Sequence, residues 1–160
     1  MSPGLPGLFV YAIQALNSAK YKGKEAVMTL VIFIITLAVI EYLVFTLLAG
    51  LARDKFSIKA PAVTGHPEFE RRLRVQHNTL EQLIAFIPAI LAFSWMAKSI
   101  GWAGDEIASG LGVIWLIGRL LYATSYVRDP ASRAMGFLLT LLPTFILLLG
   151  TLVAILVSLL

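Results

Sequence analysis

The chain contains no cysteine, only two histidines and little charge, and each shortage excludes a class of function. Without cysteine there is no disulfide, no thiolate metal ligand and no cysteine nucleophile, so any sulfur chemistry would need sulfur from a ligand. His66 and His77 are too few for a histidine-based metal centre, and the acidic residues lack ligand spacing, so no metal site is predicted. A glycine-rich phosphate loop is also missing, which argues against nucleotide-driven transport.

Apolar residues dominate what is present. The 160 residues are 59% hydrophobic and 14% charged, a composition far too apolar for a soluble domain. Stretches at about 26–52, 78–98, 107–127 and 134–160 reach the roughly 20 residues that a helix needs to cross a bilayer. The segments between them are short. We therefore predict an all-α integral membrane protein, with a single four-helix bundle domain over 1–160 that includes an N-terminal extension at about 1–25.

The basic residues indicate how the bundle lies in the membrane. The side that holds the first and third loops is the richer in Lys and Arg, with Arg53, Lys55, Lys59, Arg71, Arg72, Arg74, Arg128 and Arg133 against Lys20, Lys22, Lys24 and Lys98. This places the first and third loops in the cytoplasm, for a protein of the bacterial inner membrane or the endoplasmic reticulum. The N-terminal extension lacks the basic region of a signal peptide and is predicted to be retained, with a short surface helix over 8–16. No basic surface with interleaved aromatics suggests nucleic acid as a partner.

A stripe of polar side chains enters the second apolar stretch. Because successive helical residues turn by about 100°, Arg74, Asn78 and Glu81 fall within one arc of about 60°. An ionisable side chain inside a membrane helix costs on the order of 3 kcal/mol unless it is paired, so the stripe is a candidate site. The structural alternative is a buried network between helices. Gln76 lies about 200° from Arg74 and must serve a different surface, either lipid headgroups or another subunit.

The third apolar stretch repeats the pattern, with Arg119, Tyr122 and Tyr126 on one narrow arc. Two tyrosines one turn apart supply hydroxyl donors on apolar rings. Tyrosines near helix ends are more often residues of the interfacial belt, so these two alone do not establish a site.

The short segment after the third stretch predicts a helix start. Asp129 is a suitable N-cap and Pro130 suits the first helical position, which places Arg133 in the first turn of the fourth helix. A helix N-terminus and a guanidinium both favour a bound anion, and both lower the pKa of a thiol beside them.

These motifs resemble the MAPEG superfamily, the membrane-associated proteins of eicosanoid and glutathione metabolism. The resemblance rests on Pro67-Glu68-Phe69-Glu70-Arg71, on Arg74-Val75-Gln76-His77-Asn78 with Glu81, and on Arg119, Tyr122, Tyr126 and Arg133. It covers about residue 53 to the end of the chain. Within the superfamily, the spacing is most similar to that of the microsomal glutathione transferase and leukotriene-forming synthase branch.

The resemblance implies a homotrimer with glutathione, as co-substrate, held at subunit interfaces near the cytoplasmic face. The residues that would bind glutathione from one subunit are Arg74, Asn78, Glu81, Tyr122 and Tyr126. Arg53 and Gln76 would reach it from the neighbouring subunit, and Arg133 matches the catalytic arginine that stabilises the glutathione thiolate. The implied activity is detoxification by glutathione S-transferase or glutathione peroxidase chemistry, on lipophilic electrophiles or lipid hydroperoxides that arrive through the bilayer.

Some positions depart from the family pattern. Asp54 follows Arg53 where relatives often have a second arginine, Gln82 replaces a frequent tyrosine, and Ala134 replaces the serine of prostaglandin E synthase relatives. These differences favour a general transferase or peroxidase over an eicosanoid-specific enzyme. Two alternatives stay open: a non-catalytic MAPEG-like lipid-binding protein, and a small proton-coupled multidrug transporter that uses Glu41.

Overall fold

The protein is a bundle of long helices. A computed structural model describes the backbone of residues 5–160 and the side chains of 28–160, together with those of Val10 and Gln14. Its elements are α1 (Leu5–Lys55), α2 (Pro67–Ser99), α3 (Gly104–Arg128), a 3₁₀ turn (Pro130–Arg133) and α4 (Ala134–Ser158). Within the described range there is no strand, so the predicted all-α class is confirmed.

Four helical segments are long and apolar enough to cross a membrane, as predicted. They are Met28–Lys55, Pro67–Ser99, Gly104–Arg128 and Pro130–Ser158. Large apolar side chains cover their outer surfaces, among them Leu47, Ile84 and Trp95, each about two thirds exposed or more. A lipid environment suits such a surface, because the backbone polar groups are satisfied inside each helix and only apolar groups face outward.

The second helix begins at Pro67, well before the expected boundary at 78. Its polar first turns are helical because the start is capped: the Nδ1 atom of His66 accepts a hydrogen bond from the backbone N–H of Glu68 at 3.2 Å, and Pro67 occupies the first turn. A proline costs little there, since its missing N–H would have no partner in the helix. Hydropathy detects the part of a helix that lies in lipid, and therefore missed this extension.

The first helix also extends beyond the expected 26–52. It starts at Leu5 and continues without interruption, so the stretch predicted as a separate surface helix at 8–16 is part of α1. Pro6 lies in the first turn of α1, where a proline is tolerated. The first four residues of the predicted extension at 1–25 lie outside the described residues.

The core is a tightly packed apolar cluster at the centre of the bundle. The rings of Phe86 on α2 and Trp115 on α3 stack with centroids 4.3 Å apart, and both side chains are fully buried. Helices α3 and α4 approach closely at Gly118, where an added Cβ would lie 2.8 Å from the backbone carbonyl carbon of Leu139. Small residues at such contacts let membrane helices come together and gain van der Waals packing.

One end of the bundle is held by an arginine that caps a neighbouring helix. Arg71 on α2 donates from Nη1 to the backbone carbonyls of Val127 and Arg128, both at 3.1 Å. These carbonyls belong to the last turn of α3 and have no partner within the helix. The contact ties the start of α2 to the end of α3, and so sets which residues of the two helices lie opposite each other.

The other end of the bundle is held by a buried acid. Asp105 on α3 accepts hydrogen bonds from Ser94 and, at 3.0 Å, from Lys98, both on α2. Asp105 is 2% exposed, and a buried carboxylate is tolerated when it is paired and hydrogen-bonded in this way. The two ends together fix the axial alignment of α2 against α3.

We expect Gly118→Ala to destabilise the bundle by about 1–3 kcal/mol, because the new methyl group would push α4 away from α3. Gly110→Ala on the same helix is the matched control, since its added methyl group meets nothing within 4 Å. That control should be neutral or slightly stabilising, because alanine favours helices. Thermal unfolding of the purified protein in detergent measures both, and equal midpoints for the two variants would contradict the close contact.

Candidate functional site

A cavity of about 940 Å³ opens between α2, α3 and the start of α4. Its walls combine charged, polar and apolar side chains, namely Arg74, Asn78, Glu81, Gln82, Arg119, Tyr122, Tyr126, Pro130, Ala131, Arg133, Ala134 and Phe137. A second cavity of about 460 Å³ shares Arg74, Tyr126 and Pro130 with the first. Cavities of several hundred Å³ with a few convergent polar groups are the usual form of a small-molecule site.

The polar stripes of α2 and α3 meet in this cavity. Asn78 donates from Nδ2 to the hydroxyl oxygen of Tyr122 at 2.5 Å. The rings of Tyr122 and Tyr126, one helical turn apart, stack with centroids 5.4 Å apart. Because the Tyr122 oxygen accepts from the amide, the phenol hydrogen remains free to donate to a ligand. The shared arc predicted for the tyrosines is thus confirmed.

Three charged side chains of the cavity wall have no ion-pair partner among the described residues. Arg74, Glu81 and Arg133 are exposed in the single chain, and none of them belongs to an ion pair among the residues that the structure describes. The guanidinium carbon of Arg133 lies 5.9 Å from the ring centroid of Tyr126. The cavity therefore offers two cations and one anion to a ligand that carries the opposite charges.

Arg133 is presented by the capped turn that the sequence predicted. The Asp129 side chain accepts a hydrogen bond from the backbone N–H of Ala131 at 3.0 Å, and Pro130 follows the cap. The difference from the prediction is that the first turn is a 3₁₀ turn, which ends at Arg133 before α4 begins at Ala134. Such turns are common at helix N-termini, where they tighten the chain.

Arg119 contributes to the cavity wall beside Tyr122. It is fully buried, and its guanidinium carbon lies 4.2 Å from the ring centroid of Tyr122. Sequence reasoning placed Arg119 on this face but gave it no binding role, although its spacing to Tyr122 was the available signal. Phe137 also lines the cavity. No sequence signal marked it, because one more apolar residue in an apolar helix does not stand out.

Two predicted residues lie away from the cavity of their own chain. Arg53 donates from Nη1 to the carbonyl of Ala62 at 2.8 Å and stacks on Phe69 at 4.7 Å. Gln76 donates from Nε2 to the hydroxyl of Tyr42 on α1 at 2.9 Å. The different facing that helical geometry predicted for Gln76 is therefore confirmed. The expected contact with lipid headgroups or another subunit was wrong for its amide nitrogen, which bonds to α1 of the same chain because α1 packs on this side of α2.

Comparison with known proteins gives a consistent result along most of the chain. The family model described as the MAPEG family matches residues 31–153. An uncharacterized protein of Synechocystis sp. is 43% identical over 123 residues, which are 77% of this chain and 85% of that protein.

Two named enzymes are similar over shorter stretches. Human microsomal glutathione S-transferase 2 is 41% identical over 98 residues, which are 61% of this chain and 62% of that enzyme. Bovine leukotriene C4 synthase is 36% identical over 89 residues, which are 56% of this chain and 55% of that enzyme. Both matches span less than two thirds of the enzymes' own length.

The hydrogen bond between Asn78 and Tyr122 should be measurable as a coupling energy. We expect the variants Asn78→Ala and Tyr122→Phe, alone and combined, to give a coupling of about 0.5–1.5 kcal/mol in thermal unfolding, since each removes one partner of the bond. As the control, Thr151→Val combined with Tyr122→Phe should be additive, because the hydroxyl of Thr151 bonds to the carbonyl of Leu147 in its own helix. An additive result for the Asn78 pair would show that the bond does not join the two helices.

Proposed function

The chain belongs to the MAPEG family, and from that premise we propose that it is a membrane-bound glutathione transferase that activates the glutathione thiol in the cavity between α2, α3 and α4. Its four spanning helices and its family make it an integral membrane protein. The main support for the proposal is that the cavity is lined by three charged side chains without an ion-pair partner among the described residues, namely Arg74, Arg133 and Glu81. The two similar enzymes whose names state a function, a glutathione S-transferase and a leukotriene C4 synthase, support the same class.

The charges of the cavity complement those of glutathione, which carries two carboxylates and one ammonium group around its central thiol. We assign the ammonium group to Glu81 and one carboxylate to Arg74, through charge-assisted hydrogen bonds. Asn78 and the two tyrosines supply neutral hydrogen bonds. A lipid-binding role alone would leave these charged side chains without a ligand, and ionisable residues within a membrane-spanning helix are candidates for a functional site.

Arg133 is assigned to the thiol. A free thiol has a pKa near 8.5 and is mostly protonated at neutral pH, and a nearby guanidinium lowers the pKa of the thiol by favouring the thiolate. Each unit of the shift corresponds to about 1.4 kcal/mol of preferential stabilisation of the thiolate. The capped turn at Asp129 holds Arg133 at the cavity wall for this task.

The bound glutathione supplies a thiolate that forms a sulfur–carbon bond to an electrophile as its leaving group departs, or reduces a lipid hydroperoxide to the alcohol, with a second glutathione completing the disulfide. The wall formed by Ala134 and Phe137 offers apolar contact to a second substrate that enters from the bilayer. Detoxification of lipophilic compounds is the role that fits this pairing of a polar and an apolar substrate.

A homotrimer would complete the site. Arg53 and Gln76 lie outside the cavity of their own chain, so they can contact glutathione only from a neighbouring subunit. Arg53 would then supply the cation for the second carboxylate. The carbonyl oxygen of the Gln76 side chain stays available, since only its amide nitrogen is bound to Tyr42.

We expect Arg133→Ala to abolish the ultraviolet absorbance of the glutathione thiolate at neutral pH and to lower turnover by on the order of 10²-fold, the usual cost of removing one group that stabilises a developing anion. Arg128→Ala, the matched control, removes an exposed arginine that is not part of the cavity wall, and should keep both signals. No thiolate absorbance in the wild type, together with no glutathione binding in calorimetry, would contradict the transferase and favour a lipid-binding protein.

If each site takes residues from two subunits, then two variants that are each inactive alone should restore activity when they assemble together. Subunits with Arg53→Ala keep an intact cavity, and subunits with Arg133→Ala can still donate Arg53, so co-expression should restore a fraction of the sites. Transferase activity of the mixed oligomer should exceed the mean of the two separate variants, each measured at equal protein concentration. Activity that only equals that mean would mean that each chain forms its site alone.

A further inference from the structure

A groove on another face of the bundle lies apart from the cavity described above. It has a volume of about 340 Å³ and is formed by residues of α1, α2 and α3. None of the residues that line it also lines the cavity between α2, α3 and α4. On α2, Val75 lines the groove and Arg74 lines the cavity, because neighbouring residues of a helix point about 100° apart.

Most of the groove is apolar. Its apolar lining consists of Phe45, Leu48, Val75, Ala123 and Val127. Phe45, Val75 and Ala123 are buried and pack in one cluster, so they form a fixed floor. Leu48 is 38% exposed, and the groove therefore opens on the outer surface of the bundle.

Two arginines from different helices form the polar end of this groove. Arg128 is the last residue of α3, and Arg72 lies near the start of α2. Arg71 joins these two helix ends, because its Nη1 atom donates to the backbone carbonyl of Arg128 at 3.1 Å. This contact explains why residues so far apart in the chain line one groove.

The polar end keeps a net positive charge. Arg128 is exposed and belongs to no ion pair among the described residues. Arg72 donates from Nε to Glu68 at 3.1 Å, and Lys55 donates to the same carboxylate at 3.0 Å. One acid is thus shared by two cations. The next acid in the chain, Asp129, caps the 3₁₀ turn with its side chain.

An apolar groove with a cationic end matches the shape and charge of an anionic membrane lipid. The spanning helix α3 ends at Arg128, so the arginines lie at the level of the lipid headgroups. At a rise of 1.5 Å per residue, Ala123 lies roughly 7 Å deeper in the membrane. Guanidinium groups bind phosphate through paired hydrogen bonds. Basic pockets between helices at the membrane surface bind anionic headgroups in this way.

We propose that this groove binds an anionic phospholipid of the surrounding membrane. The phosphate of the lipid lies on Arg72 and Arg128, and one acyl chain runs over the buried apolar floor. The inference goes beyond the proposed function and does not rest on it, because the groove shares no residue with the other cavity and its test needs no glutathione.

Native mass spectrometry of the full chain in detergent tests the site, because one spectrum gives both the number of bound lipids and the mass of the oligomer. The probes are phosphatidylglycerol and phosphatidylcholine with identical acyl chains. We expect one phosphatidylglycerol per chain to bind more tightly than phosphatidylcholine, and equal affinities would overturn the proposal. Inorganic phosphate at the same concentration should not displace the lipid, since it has no acyl chain. Displacement would indicate a simple anion site instead.

Arg128→Gln should weaken the binding of phosphatidylglycerol about fivefold, the effect of one basic residue near an anionic headgroup. Lys59→Gln is the matched control, because it removes one positive charge from the same end of the bundle but lies outside the groove. Its affinity should equal that of the wild type. Equal losses in the two variants would mean a general attraction to the basic end of the bundle and no specific site.

The apolar part of the groove is tested separately. Leu48→Trp should weaken lipid binding, because the larger side chain fills part of the groove. Leu47→Trp should not, since Leu47 is 67% exposed and lies outside the groove. Unchanged affinity in Leu48→Trp would contradict the proposal. If that variant instead changes the mass of the oligomer, the groove is an interface between copies of this chain and the lipid site does not exist.

Discussion

A hydrocarbon bilayer offers a polar side chain no hydrogen-bond partner, and this constraint organises the whole bundle. Polar groups on α2 and α3 must either reach each other, face a cavity or leave the membrane. Asn78 meets Tyr122, and Asp105 meets Lys98. Hydroxyl groups such as that of Thr79 bond to a carbonyl of their own helix, here that of Val75 at 2.7 Å. The outer surface can then be apolar almost everywhere.

The same constraint explains why the charged side chains without an ion-pair partner lie close together. Arg74, Glu81 and Arg133 have no ion-pair partner in the described part of the chain, and all three line one cavity. Arg119, whose Nε and Nη2 atoms are buried without a hydrogen-bond partner among the described residues, lines the same cavity. Ionisable residues within membrane-spanning helices are candidates for a functional site. Their position around one cavity supports the proposal that this cavity binds a charged ligand.

Close packing makes the cavity possible by holding its walls at fixed positions. Arg71 ties α2 to the end of α3, the capped turn at Asp129 sets the path into α4, and Gly118 lets α3 and α4 touch. A site that stabilises an anion works best when its charges are already in place, because little reorganisation is then needed. In the proposed function, the charged side chains of the cavity wall would hold the polar ligand, while the apolar second substrate would enter from the bilayer.

Hydropathy and helical periodicity are local properties of the chain, and they were enough to predict the membrane-spanning helices and the polar arcs. The sequence therefore predicted that Arg74, Asn78 and Glu81 share a face, and that Gln76 does not. Tertiary packing was needed to show that the arc of α2 meets the tyrosines of α3, that Gln76 bonds to Tyr42, and that the buried guanidinium of Arg119 lies against the ring of Tyr122. These pairings join residues far apart in the chain. They depend on the axial shift and rotation of each helix, which interhelical packing sets and which no local pattern records.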